Sequence, residues 1–240
     1  MNTRFIWSFA KFCGIAGLKE NPWGIIANIL TPVCLLVIIF LLSGGKLVSY
    51  AVVGGVVAII ASTTLACTGN AAVFRIEIKM QDLIVSTKVH ILDYVSAFTV
   101  SSIASATPGI AFFTILSIVF GLFTPLRFAT TLVVILLLSV ATTSIAVFVG
   151  GKIKYTIGMW SISGILSAVM TLLPPTFYPY AVLPKPVLYL FSLSPITPAA
   201  VILQGVYGLG KVDNVMWFVL VGEVLLYLAL VRTFGTWREK

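Results

Sequence analysis

The groups able to do covalent or acid–base chemistry are few. His90 is the single histidine, and the three cysteines, Cys13, Cys34 and Cys67, form no CxxC pair. A serine–histidine nucleophile needs both groups facing each other, and a zinc site needs several nitrogen or sulfur ligands at close spacing. Neither pattern occurs, so no metal, cofactor or catalytic centre is expected on this chain. The run Gly205-Val-Tyr-Gly-Leu-Gly210-Lys211-Val212 approaches the phosphate loop GxxxxGK[ST]. Val212 replaces the hydroxyl residue that would hold magnesium, and no β-strand precedes the run. It reads as a glycine-rich turn and not as an ATP site. Glu223 is an acid inside an otherwise apolar run. A charge there costs several kcal/mol unless it is paired or protonated. It reads either as a proton or cation site or as a carboxyl bonded to a neighbouring helix or subunit, and one isolated acid makes a poor relay.

The most informative polar stretch is Phe74–Asp93, FRIEIKMQDLIVSTKVHILD. Arg75, Glu77, Lys79, Asp82 and Lys88 give it mixed charge. Ile76, Met80, Leu83 and Ile84 recur at helical steps as a narrow apolar stripe. Such an amphipathic helix suits docking into a groove of a soluble partner, or lying on the inner leaflet. Periodicity alone leaves the two even.

Whatever positions these groups is built for lipid. Of 240 residues, 60% are hydrophobic and 9% charged, against roughly 25% charged in soluble domains. Mean hydropathy is +1.13. This composition excludes a soluble globular domain, a disordered chain and a fibre, and it leaves an integral membrane protein. Six uncharged or nearly uncharged stretches are long enough to span: 24–43, 49–73, 94–121, 128–150, 156–174 and 215–232. A further stretch, 186–210, is broken by Pro186, Pro195 and Pro198, just after Pro174, Pro175, Pro179 and Pro184. Proline removes a backbone donor and clashes with the preceding turn, so 178–207 is expected to form short helices that dip in and return.

The charges orient this layout. With a cytoplasmic N-terminus, the inner side holds Arg4, Lys11, Lys19, Arg75, Lys79, Lys88, Lys152, Lys154, Arg232, Arg238 and Lys240. The outer side holds Lys46, Arg127, Lys185 and Lys211. Eleven cations against four satisfy the positive-inside rule for six spans with both termini cytoplasmic. The net charge of +8 is therefore read as topology, with no nucleic-acid partner expected. Residues 4–19 are expected to form an amphipathic helix lying flat in the interface, with Phe5, Phe9, Phe12 and Ala16 toward lipid. Asn21-Pro22 gives a start signal for the first span. Gly54, Ala58 and Ser62, and Ala146 and Gly150, are small residues at four-residue steps. They favour close helix contact within one subunit or between two. Pro32 and Pro108-Gly109 are expected to kink or break their helices.

In its order of parts the chain resembles the membrane subunit of an ABC-2 type ATP-binding-cassette transporter over nearly its whole length. The order is an N-terminal interfacial helix, two spans, a polar inner segment, three spans, a proline-broken outer segment and a last span. The most specific likeness is Phe177-Tyr178-Pro179, then Leu183-Pro184, then Ser194-Pro195-Ile196-Thr197-Pro198. It is similar to the family's "FYP", "LP" and "-NP-" pattern, with Ser194 where asparagine is common and Gln204 near a frequent arginine. The resemblance implies an all-α, single-domain export permease in the plasma or inner membrane. It would work as a homo- or heterodimer with a separate ATPase subunit that carries ATP and magnesium. Glu77, Lys79, Met80, Gln81, Asp82 and Leu83 would form the coupling helix within 74–90, with Lys152 and Lys154 as a smaller contact. Phe177, Tyr178, Pro179, Pro184, Pro195 and Pro198 would shape a gate at the outer end. Two other classes stand beside it: an ion- or proton-coupled carrier or channel using Glu223, and a membrane enzyme acting on lipid, for which clustered catalytic groups are lacking.

Overall fold

The computed structural model describes residues 2–20, 22–87, 89–155 and 157–234. Asn21, Lys88, Thr156, Arg238 and Lys240, which carry parts of the cap, charge and span expectations, lie outside them. Among the described residues the regular structure is helical. It begins with α1 (Thr3–Phe9), a π-helical stretch (Ala10–Ala16) and α2 (Gly17–Glu20), followed by α3 (Pro22–Ser43), α4 (Val48–Ile76) and α5 (Met80–Val85). Next come α6 (Ile91–Val119), α7 (Pro125–Lys152) and α8 (Met159–Leu172). Then α9 (Lys185–Phe191), α10 (Ile196–Val206) and α11 (Val215–Phe234) complete the chain. Among the described residues four helices, α4, α6, α7 and α11, are long and apolar enough to cross a membrane, and shorter apolar helices cover Ile29–Ser43, Met159–Leu172 and Ile196–Val206. The protein is thus an all-helical, multi-pass membrane protein.

α4 is the axis of the bundle. Its apolar window is 89% buried, against 28% for α6, and it packs against α3, α6, α7 and α8. Small residues permit that central place. A Cβ on Gly54 would lie 1.9 Å from the Thr176 carbonyl oxygen, and one on Gly150 would lie 2.7 Å from that of Thr68. The small-residue steps therefore serve packing within the chain. Polar bonds join the same helices: Thr64 and Thr142 hydroxyls meet at 2.7 Å, and Ser163 Oγ donates to Leu65 O at 3.3 Å. Such contacts hold helices together where lipid gives no hydrophobic driving force.

α4, α7 and α11 run in one direction and α6 in the other, and the bundle has two ends. At the near end Arg75 donates to the Ile153 carbonyl, and Asn2 N donates to Asp93 Oδ1 at 3.0 Å. At the far end Tyr50 donates to the Leu209 carbonyl, and Tyr180 Oη donates to Lys211 O at 2.8 Å. Two main apolar clusters fill the interior. The far one centres on Ile59, Leu65, Phe113, Leu138 and Leu203, and the near one on Phe9, Tyr94, Phe98, Val147 and Val231.

Four expectations change in detail. The N-terminal helix packs lengthwise along α6, from Asn2 beside Asp93, through Phe9 on Phe98 (ring centroids 5.0 Å), to Gly14 against Ser101. Phe9 is thus core and not lipid-facing, while Trp7, Phe12 and Ile15 form an exposed apolar face. Two apolar faces on one helix are what a single stripe cannot express. The span expected over 156–174 is a helix of 14 residues, short of the roughly 20 a crossing needs. Gly158, at φ +98, starts it late, and the Pro174-Pro175 pair follows its end. Pro32 and Pro108 lie inside α3 and α6, and neither breaks its helix. At Gly109 the missing side chain makes room for Ile59. The stripe expected on the docking segment divides between a buried and an exposed face of α5.

Candidate functional site

Two regions gather the residues singled out by sequence. The first is at the near end. α4 runs on to Ile76, and Lys79, in left-handed backbone at φ +53, turns the chain into α5. That turn sets the face of a six-residue helix. Gln81 and Ile84 are buried beneath it, and Met80 is half-buried. Glu77, Ile78, Lys79, Asp82 and Leu83 face outward, Leu83 at 69% exposure. The expected stripe is therefore split, with Ile84 anchoring the helix and Leu83 presented. A hydrogen bond from Arg75 to the Ile153 carbonyl ties this segment to the connection after α7. Lys152 and Lys154 are exposed there, beside Tyr155 and Ile157, the latter 94% exposed. The result is a platform of isolated apolar side chains among charges, at the end that carries most of the cations. Beside it, Asp93 Oδ2 accepts from His90 N at 3.2 Å, which places the histidine at the start of α6.

The second region closes the far end. α9 leads to a turn at Leu193–Pro195, which lies beside the middle of α11, where Tyr227 Oη donates to Leu193 O at 2.6 Å. α10 then returns to the far end, where Tyr207 lies beneath the Arg127 guanidinium. Pro195 and Pro198 are buried at the start of α10, and Pro184 caps α9. The Pro174–Pro179 segment lies across this hairpin. Phe177 is buried against Ala51 and Ala58 of α4. Tyr178 Oη donates to Leu173 O at 2.9 Å, and partial burial raises its phenol above the ordinary value.

Gln204, which sequence noted only as a departure from a pattern, holds the cap together. It is 1% exposed. Its Nε2 donates to Pro175 O at 2.7 Å and to Tyr178 O at 3.0 Å, and its Oε1 accepts from Tyr180 N at 3.1 Å. The signal available in sequence was one amide in a long uncharged run after Pro198.

The glycine-rich run after α10 is a helix stop. Leu209 N donates to Gln204 O at 2.9 Å, and Gly208 N donates to Gly205 O at 3.0 Å, with Gly208 at φ +76. This is the paired 6→1 and 5→2 pattern of a glycine C-cap. It uses the amides that a phosphate would need. Glu223 lies on the α11 face that also buries Met216, Leu220 and Val231. It is 7% exposed, and neither carboxyl oxygen has a hydrogen-bond partner among the described residues.

No protein-family model matches the chain, and no curated protein matches it significantly.

Proposed function

We propose that this chain is the permease subunit of an ATP-driven exporter of the ABC-2 type, forming the pathway as a dimer and moved by a separate ATPase subunit. The observation that carries the reading is the near-end platform. Leu83, Ile78, Tyr155 and Ile157 expose apolar surface among Glu77, Lys79, Asp82, Lys152 and Lys154. Charges of both signs around a few apolar anchors suit a soluble protein partner better than the bilayer, which takes a continuous apolar face. The cation bias toward this end favours a cytoplasmic orientation, where ATP is available.

In this reading the chain crosses six times in the plasma or inner membrane, with α3 added to α4, α6, α7 and α11, and with α8 and the non-helical chain from Leu173 to Tyr178 beyond it as the remaining crossing. ATP and magnesium stay on the partner. Closure of the ATPase pushes on α5 and on the 152–157 connection, which Arg75 makes into one lever. The proline-rich hairpin and its Gln204 clamp act as the far-end gate. ATP works here through differential contact with two states of the bundle.

A proton- or ion-coupled carrier is the second reading, favoured by the buried carboxyl of Glu223, which has no hydrogen-bond partner among the described residues. Impermeant maleimide applied to Leu83→Cys in oriented vesicles tests the first reading. Labelling from the cytoplasmic side alone is expected, with protection when the ATPase is bound. Labelling from the exterior overturns it.

A further inference from the structure

Two cavities follow one another along α4. The first, about 260 Å³, lies between α3, α4 and α8 beneath Phe177, with Ala58 and Ser62 on its α4 wall. The second, about 150 Å³, lies between the π-helical stretch, α4 and α6, with Thr63, Ala66, Cys67 and Asn70 on its α4 wall. At successive four-residue steps on α4, Ala58 and Ser62 wall the first cavity and Ala66 and Asn70 wall the second. The second cavity also meets Cys13, Ser101 and Ser105. A π-helical turn widens the backbone and recurs at functional sites. Here it brings Cys13 to the rim, because Gly14 lets the helix approach α6, its notional Cβ 3.0 Å from Ser101 O.

The lining chemistry is selective. Among the described residues no acidic, basic or imidazole side chain lines either cavity. An ion in them would lose its water and gain no counter-charge, which is strongly unfavourable at membrane depth. The two cavities differ from each other. One is walled by carbon with a few hydroxyls. In the other, Cys67 is already paired with Ser102 at 2.9 Å, and Ser102 donates to Phe98 O at 2.8 Å. That leaves Asn70, Ser101 and Ser105 to meet a bound polar group. Each cavity is smaller than the roughly 300 Å³ at which drug-sized pockets begin, so each fits one part of a ligand.

We propose that these cavities take an uncharged amphiphile. Its hydroxyl- or amide-bearing head would sit against Asn70, Ser101 and Ser105, and its slender apolar part between α3, α4 and α8. That this molecule is cargo rests on the exporter reading above. Glu223 lines neither cavity.

Diazirine-bearing monoacylglycerol tests the site, against a matched diazirine fatty acid and a matched alkyltrimethylammonium, with the full chain in nanodiscs. The neutral probe is expected to crosslink to α4 and α8 at least about tenfold more than either ion. Ala66→Trp, which fills the polar cavity, is expected to abolish the preference. Asn70→Leu, which keeps the branching and heavy-atom count and removes the amide, is expected to reduce it even if Ala66→Trp folds poorly. Equal labelling by the charged probes, or neutral labelling unchanged in Asn70→Leu, overturns the proposal. ATPase capture is scored on the same samples. Capture without selective labelling overturns the cargo class alone, while selective labelling without capture overturns the exporter reading alone.

Discussion

Replacing Gln204 by leucine removes three hydrogen bonds and leaves Pro175 O, Tyr178 O and Tyr180 N without their buried partner. A net bond contributes about 1 kcal/mol in proteins, and bonds between membrane helices average about 0.6. The buried groups left behind add a desolvation cost, so the loss is expected at about 2–4 kcal/mol. Glutamate keeps the acceptor for Tyr180 but turns a second oxygen toward two carbonyls. In Gln204→Glu a protonated carboxyl donates to one of them, whereas the ionised form repels both. Its stability should therefore be greatest at low pH and fall as pH rises through the carboxyl's titration. Unfolding in mixed micelles measures the size of the effect, and hydrogen exchange at the Tyr180 amide locates it. A shift below about 0.5 kcal/mol in Gln204→Leu, with that amide still protected, would refute the clamp.

Gly54→Ala forces a Cβ into the Thr176 carbonyl, whereas Gly164 has open space where a Cβ would go. The first is expected to cost at least about 1–3 kcal/mol and the second to be near neutral, read by thermal unfolding in detergent. Burial, with a smaller contribution from Cys67, pushes the Cys13 thiol up to about 12. Native alkylation by iodoacetamide at pH 8 should then be about a thousandfold slower than in the unfolded chain, and should climb as pH approaches 12. Comparable native and unfolded rates at pH 8 would contradict this. Arg75→Met should release the connection after Ile153 and speed its hydrogen exchange, while exchange in α4 above Thr68 stays unchanged.

The helices were legible where length and charge suffice. No charge interrupts 47–74, 94–126 or 128–151, and runs that long, well beyond a barrel strand, match the length of a spanning helix that satisfies its own backbone. The prolines of 174–198 announced broken structure, and Gly205–Lys211 read correctly as a turn. Faces were less legible than elements. Phe9 and Phe12 are equally apolar in sequence, yet one meets Phe98 and the other is exposed. Leu83 and Ile84 differ likewise, because the left-handed turn at Lys79 sets the rotation of α5. Gln204 was illegible as a clamp because its partners lie 24 to 29 residues away and are backbone groups. Backbone carbonyls carry no residue type to read. The cavities along α4 needed the fold, since α3, α6 and α8 supply their other walls.

Purification of the tagged full chain from its native membrane tests the central claim most directly, with the stoichiometry of co-purifying ATPase as the readout. The account predicts one ATPase subunit per permease chain, lost in Leu83→Asp while the Leu83→Met form retains it. A chain that purifies without any ATPase and moves solute down or against a proton gradient on its own would contradict it.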